Sequence, residues 1–468
     1  MSVLEADDCV GGIARTAEYK GFRFDIGGHR FFTKVLTVQR LWRDLLGDEL
    51  LTRPRLSRIY FNGRYFAYPL KAVNALAGLG VVQSLAVFAS YGWAQLRPVS
   101  PELSFEDWVI NRFGRRLYVM FFKSYTEKVW GIPCTRIGAQ WAAQRIKGLS
   151  LWVAAREALL TPFRRGRSSG VRSLIEEFEY PRLGPGQCWD ACASRIRAQD
   201  GTVELGARVV GVRHHAGRIE AIDVERHGAT HTEPVAALIS TMPLRTLIEA
   251  LAPAAPEAVQ LAAAQLSYRD FLTVALIVDQ ADVFPDNWIY VHDASVRVGR
   301  IQNFKNWSPA MVPSPDRTCL GLEYFCFEGD GLWAMTDADL VALATDELAL
   351  LKLVDKALVC DGTVVRMPKA YPIYDDRYLD ALTVLRDYVT GFENLQLAGR
   401  NGLHKYNNQD HAMVTGLLAA EALCGARVDP WTVNVEDEYL EEGDVYGLAP
   451  ELADLLDSQP RVPSPIGG

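Results

Sequence analysis

Apolar positions in the first 66 residues come in short runs broken by glycine turns, as in YKGFRFDIGGHRFF and RIYFNGRYFAYPL. Such punctuation predicts strands, and Asn62-Gly63 between Ile59-Tyr60-Phe61 and Arg64-Tyr65-Phe66 predicts a β-hairpin. From about residue 67 to 180 the texture turns helical, with few turn pairs and many large apolar residues, among them Trp108, Phe113, Tyr118, Phe121, Phe122 and Trp130. The basic Gly/Ser stretch FRRGRSSGVRS, from Phe163 to Ser173, reads as a solvated connection, with a phosphate-facing flap as the alternative. PRLGPGQ closes that region and a helix to about Arg197 follows. TVELGARVVGVRHHAGRIEAIDVE reads as a strand pair turned at Gly217, and ALISTMPL as an apolar strand entering a turn. FLTVALIVD, NWIYVHD, VGRIQNF and CLGLEYFCF predict further strands, followed by a helix from about Asp337 to Leu353 and a strand near VVRMPKAYPIY. Leu395 to Ala398 reads as a buried strand and Gly399-Arg400-Asn401-Gly402 as a tight loop. Asn407 to Asp410 offers caps for a helix rich in small residues.

The order is β-rich, α-rich, β-rich, then strand-loop-helix. It predicts a mixed α+β or α/β fold in which separated segments assemble a nucleotide-binding domain around inserted helical and sheet domains. The expected division is 1–66, 186–250 and 386–430 for the nucleotide-binding parts, 67–185 for the helical domain and 251–385 for a substrate-binding sheet. An acidic tail, 431–468, is expected to be poorly ordered.

Composition narrows the class. With 49% hydrophobic and 23% charged residues the chain is that of a soluble globular protein, and a net charge of −8 disfavours nucleic acid as a partner. The eight cysteines are scattered; only Cys188 and Cys192 stand close, with no second pair to complete a zinc site. His214 and His215 are adjacent on an expected strand and point to opposite faces, so no metal site is expected. Buried thiols fit a reducing cytoplasm, and Glu5, Asp7 and Asp8 interrupt any apolar leader. One stretch qualifies this picture. Leu70 to Leu96 carries a single charge, Lys71, but Asn74, Gln83, Ser84, Ser90 and Gln95 dilute it. It reads as two buried helices rather than a membrane span, with weak peripheral membrane contact as the alternative.

The candidate chemistry starts at Glu5, at the end of an expected strand Val3-Leu4, where a carboxylate can accept two ribose hydroxyls. Gly11-Gly12 allows close backbone approach, and Arg15-Thr16 puts a cation and a hydroxyl where a pyrophosphate would lie. Gly27-Gly28 admits something flat and large, with His29 beside it as donor or acid/base, or alternatively as a satisfied structural histidine. The first turn of the final helix forms a site for negative charge.

VLEADDCVGGIARTAEYKGFRFDIGGHRFF resembles the second strand and following turns of the flavoprotein amine-oxidase class, which includes protoporphyrinogen oxidase-like enzymes and the UDP-galactopyranose mutases. PRLGPG, ARVVGV, ISTMPL and GRNGLHKYNNQD fall in the order those families use, over roughly residues 1 to 425. VGRIQNFKNW and GRNGLHKYNNQD are most similar to the mutases and their FAD-dependent oxidoreductase-like relatives. The resemblance implies a Rossmann-like FAD-binding domain of the GR2 type. Glu5 would bind the FAD ribose, Gly11, Gly12 and Arg15 the pyrophosphate, and Val209 the adenine edge through its backbone. Gly27, Gly28 and His29 would border the isoalloxazine, with Gly399, Arg400, Asn408 and Gln409 closing its other side. Arg300 matches a basic position of the mutase substrate pocket and Tyr406 a tyrosine of the mutase C-terminal block. By position, His29, His404 and Tyr406 are the acid/base candidates.

The implied activity is an FAD-dependent oxidoreductase acting on a small polar metabolite, a sugar nucleotide or glycoside. Two alternatives stand beside it. One is a redox-neutral mutase using reduced FAD, with Arg300 and Lys405 holding a diphosphate; the other is a remnant unable to hold FAD. The chain departs from the mutases in carrying His404-Lys405-Tyr406-Asn407-Asn408-Gln409 where they have a pattern like Y-R-Y-L-D-M. It also opens four residues before Glu5, which leads us to expect the first strand, glycine turn and helix of the βαβ unit, about 30 residues, to be missing. A homo-oligomer is left open.

Overall fold

The structure is a computed structural model that describes residues 1–33, 35–68, 79–139 and 177–434. The FRRGRSSGVRS segment, the start of the apolar stretch at Leu70 and the tail beyond 434 lie outside the described residues.

The largest element is a seven-stranded sheet. Its order is Val359–Pro372, Tyr268–Val278, Thr318–Cys326, Arg300–Asn303, Trp288–Val291, Ser57–Phe61 and Arg64–Ala67. All neighbours are antiparallel except Trp288–Val291 with Ser57–Phe61, which run parallel. Tyr268–Val278 and Thr318–Cys326 are central and apolar on both faces, so nearly every residue in them is buried. The last two strands are the expected hairpin, with Asn62 and Gly63 both at positive φ, 50° and 73°. This hairpin lies at the edge of the seven-stranded sheet, far in sequence from its other strands. Helix Asp337–Leu350 covers one sheet face through Leu340, Ala344 and Leu348.

Three smaller sheets join the segments expected to bind a nucleotide. Ser2–Leu4 runs parallel to Thr202–Glu204, and Leu238–Ser240 parallel to Leu395–Leu397. Ala229–Pro234, Arg218–Arg226, Ala207–His215 and Leu251–Ala252 form a four-stranded sheet. The strand pair expected around Gly217 is thus three strands, because His227-Gly228 makes a second positive-φ turn. Asn394 joins these pieces: its side-chain amide donates to the Ile219 and Ala236 carbonyls, and its oxygen accepts from Ile219 N.

The helical layer contains Val81–Leu96, Phe105–Leu117 and Ser124–Trp130, with a π-helical turn at Tyr118–Lys123. Gly114, at φ 80°, sits so close to the neighbouring helix that a Cβ there would lie 2.7 Å from Tyr91 N. The expectation of buried helices from Leu70 to Leu96 needs correction. Val81–Leu96 packs only one face, through Val87 and Ala94, and leaves Val82, Leu85, Trp93 and Leu96 exposed. No helix among the described residues is long and apolar enough to cross a membrane. The described start of the tail is packed, with Trp431 and Val433 buried.

Candidate active site

Two glycine turns far from each other in role are held together by one small hairpin. Thr16–Tyr19 pairs antiparallel with Phe22–Asp25, and the register sets Thr16 opposite Asp25. The chain therefore enters from Gly11-Gly12-Arg15 and leaves into Gly27-Gly28-His29 at the same open end. Asp25, fully buried there, accepts from the Tyr180 hydroxyl at 2.6 Å and from Thr16 Oγ1 at 3.1 Å. Thr16 Oγ1 in turn accepts from Gly186 N at the start of helix Gly186–Ala198. Burial raises the Asp25 carboxyl to about 7, against the pull of the two hydroxyls.

At the first turn, Glu5 continues its strand: its N–H donates to Glu204 O, and its carbonyl accepts from Ala207 N. That places Glu5 two residues from Val209 on the adjoining strand. The Glu5 carboxylate accepts from Asp7 N at 2.9 Å, and Arg15 pairs with Asp7 at 2.6 Å. Gly11 is at φ 104° and would carry a Cβ only 2.8 Å from the Trp189 ring. So Glu5, Gly11, Gly12, Arg15 and Val209 share one neighbourhood, and Trp189 joins them.

The second turn meets the C-terminal block. Gln409 Nε2 donates to the His29 carbonyl at 3.4 Å, and a Cβ on Gly28 would lie 3.0 Å from Gln302 Nε2. Gly399–Gly402, expected as a loop, is a single helical turn. From it Arg400 donates through Nε to Asn407 O and through Nη1 to Ala370 O, both at 3.0 Å. Its guanidinium lies 5.1 Å from the Tyr371 ring and 5.0 Å from the Tyr406 ring, which stack on each other at 5.5 Å. Asn408 precedes helix Gln409–Leu423 and its N–H donates to His411 Nδ1.

Arg300 stands opposite Glu323 in the sheet register and pairs with its carboxylate. It also donates to the Tyr371 hydroxyl at 3.1 Å. Gln302 Nε2 donates to Glu323 at 2.7 Å, so this fully buried carboxylate has two partners. Burial opposes the Arg300 charge, but Glu323 and the surrounding tyrosines outweigh it and hold the guanidinium above its ordinary value. Tyr125 and Tyr290 belong to the same neighbourhood, and the Tyr290 ring meets that of Tyr68 at 4.4 Å with a 42° tilt. Burial, helped by Arg400 and Arg300, pushes the His29 ring down to about 3, so it is neutral at physiological pH.

The structure thus brings together Gly27, Gly28, His29, Arg300, Arg400, Tyr406 and Gln409. It sets His404 apart: that ring is fully buried, edge-on to Tyr268 at 5.0 Å, and burial lowers it to about 4. Lys405 also turns away, its Nζ donating to the Trp431 and Val433 carbonyls. Sequence reading missed Glu323, Gln302, Tyr371, Asp25 and Trp189. Glu323 had a signal, as the one charge in the apolar run TCLGLEYFC. Tyr371 and Asp25 act through partners that only the folded register supplies.

The residues fit a dinucleotide carrying a flat ring. Gly12 and Gly399, both at positive φ, each have no protein atom within 4 Å of where a Cβ would stand. His29 Nδ1 and Gln409 Oε1 are buried polar atoms without a hydrogen-bond partner at the second turn. A carboxylate and a cation flank the first turn, and two guanidiniums flank the second.

Comparison with known proteins agrees. The family model described as flavin-containing amine oxidoreductase matches residues 1–424. Among solved structures, a reduced UDP-galactopyranose mutase superposes with a TM-score of 0.79 at 19% identity, covering 92% of this chain and 90% of that one. A putative protoporphyrinogen oxidase from Exiguobacterium sp. 255-15 gives 0.62 at 16% identity, covering 86% and 90%. A putrescine oxidase bound to putrescine gives 0.56 at 15% identity, covering 90% and 93%.

Proposed function

This chain belongs to the flavin-containing amine oxidoreductases and is an FAD-dependent enzyme, and we propose that it oxidises or reduces an anionic polar metabolite, a sugar nucleotide or related glycoside. The observation that carries this reading is the charge around His29. Arg300 and Arg400 both act on that ring, yet only Glu323 answers them; Arg400 has no carboxylate partner among the described residues. An excess guanidinium in a partly dry site favours a phosphate or carboxylate and repels a protonated amine. The putrescine oxidase fold is therefore shared without its cationic substrate.

Glu5, Gly11, Gly12, Arg15 and Val209 would hold the adenylate and pyrophosphate of FAD, and Gly27, Gly28, His29, Gly399, Asn408 and Gln409 its ring. When bound, FAD supplies the two-electron hydride acceptor or donor. The chain's own residues do the rest. Arg400, beside the stacked Tyr371 and Tyr406 rings, presents its remaining Nη2 to an anion. Glu323 and Tyr371 fix the Arg300 fork. His29, neutral, serves as a hydrogen-bonding group and not as a cation. Tyr125, Tyr290 and Trp130 wall the site with aromatic surface. The mutase alternative loses one of its two diphosphate cations, because Lys405 is spent on backbone carbonyls.

The test is anaerobic mixing of the FAD-loaded enzyme with sugar nucleotides, glycoside acids and diamines while the flavin absorbance is followed. Bleaching by an anionic substrate, with KM raised at least about tenfold in Arg400→Ala, supports the proposal. Bleaching by diamines alone overturns it. Turnover of a UDP-sugar only after dithionite reduction transfers the assignment to the mutase reaction.

A further inference from the structure

Helix Val81–Leu96 is mostly apolar, with Gln83, Ser84, Ser90 and Gln95 interspersed, although one face meets solvent. Its sequence, VVQSLAVFASYGWAQL, holds no charge. At 100° per residue, Val82, Leu85, Ala89, Trp93 and Leu96 fall within one stripe, and Val87 and Ala94 on the opposite side are buried. Val82 is 80% exposed, Leu85 65%, Trp93 60% and Leu96 80%; beyond the helix end Leu103 is 73% exposed. An ordinary surface helix carries charge on that face. A stripe this long, with a tryptophan near one end, has the make-up of a helix that lies in a lipid interface.

The charge around the stripe identifies the partner. From Leu50 to Pro101 the sequence contains no Asp or Glu, in a chain of net charge −8, and of its cations Arg58 is matched by Asp286 from elsewhere in the chain while Arg97 lies at the end of the stripe. Arg97 ends the stripe with its guanidinium 4.7 Å from the Trp93 ring. Along one flank lies a recess of about 570 Å³ lined by Gln83, Ala86, Ser90, Arg115, Arg116 and Val119. Arg116 there donates to the neutral Gln83 Oε1 at 2.6 Å, not to a carboxylate. Apolar surface edged by Arg97 and Arg116, neither of which pairs with a carboxylate among the described residues, complements an anionic bilayer; Arg115 beside them pairs with Glu106 at 3.6 Å.

We infer that the exposed stripe of Val81–Leu96 docks the enzyme on a membrane surface rich in anionic lipid, with Arg97 and Arg116 meeting the headgroups. The helix lies in the plane of the interface, since sixteen residues span only about 24 Å. The inference does not depend on which substrate the site near His29 takes.

The experiment is flotation of the full-chain holoenzyme with phosphatidylcholine vesicles, with and without phosphatidylglycerol. The protein should float with the anionic vesicles, less so at high salt and only weakly with neutral ones. A Trp93→Ser/Leu96→Gln variant should lose at least about tenfold in vesicle affinity and keep its flavin spectrum and turnover. Arg97→Glu, an independent variant, should lose the preference for anionic lipid. The inference is overturned if the wild type stays in the dense fraction with both vesicles, or if all variants float as it does. It is also overturned if light scattering shows a dimer that Trp93→Ser/Leu96→Gln dissociates, because a second copy then covers the face.

Discussion

Asp25 and the buried histidines make opposite demands on pH. Asp25 has a folded-state value near 7, above its ordinary 3.8, so the folded protein keeps a proton that the unfolded chain releases. Its contribution is complete below about 3.8 and is lost as pH rises through 7. His29, His292 and His404 are pushed down to about 3, 3 and 4 from 6.5, so they weaken the fold as pH falls below 6.5. Around pH 5 the unfolded chain therefore binds about two more protons than the folded one, and stability should fall on acidification. The stability advantage of Asp25→Asn over the wild type should widen by about 2.6 kcal/mol between pH 5 and pH 8, as urea unfolding at the two values would show. Glu323 gives a second test. Glu323→Gln leaves the Arg300 charge buried and unanswered, which should cost about 3 to 5 kcal/mol in thermal unfolding and raise KM for an anionic substrate. Asp25 was not legible as a site member in the sequence, and Glu323 only as a lone charge in an apolar run. Glycine pairs and His29 declare themselves by local spacing, whereas Asp25 and Glu323 take their meaning from partners 155 and 23 positions away.

Elements were legible where a local signal forced them. Asn62-Gly63 set a hairpin because both residues take positive φ, and the final strand and helix stand close to where their caps and small residues placed them. Two readings failed for physical reasons. GRNG looked like a loop because two glycines bracket it, yet Thr415 Oγ1 accepts from Gly399 N and Lys405 N donates to Arg400 O, closing a helical turn. Val81–Leu96 looked buried because it carries no charge, and its scattered Gln and Ser residues do not say which side is covered. What holds that helix is the close approach at Gly114. Gly114→Ala would put a methyl into the Tyr91 backbone at a positive φ, and we expect a loss of at least about 1 to 3 kcal/mol in thermal unfolding.

Across the whole molecule, the two ends of the site come from segments that touch one another only in the fold. Glu5, Arg15 and His29 belong to the first 30 residues, Val209 to the middle and Arg400 to the last described part. A ligand meeting all three should stabilise them together. Raising FAD to a hundredfold excess over its Kd should add about 2.7 kcal/mol to unfolding, seen as a tryptophan-fluorescence melting point that climbs with FAD concentration. A melting point indifferent to FAD would deny that these segments close on the cofactor.

The parallel seam between Ser57–Phe61 and Trp288–Val291 has a cost in time. Leu56 N reaches its partner, Asn287 Oδ1, across 231 positions. At typical elongation speeds a ribosome needs roughly 10 to 50 s to supply the second strand. For that interval the nascent hairpin waits as a lone two-stranded ribbon, its inner edge open to any passing strand. Yield in a cell should therefore respond to chaperone supply and translation speed more than to the strength of any one contact.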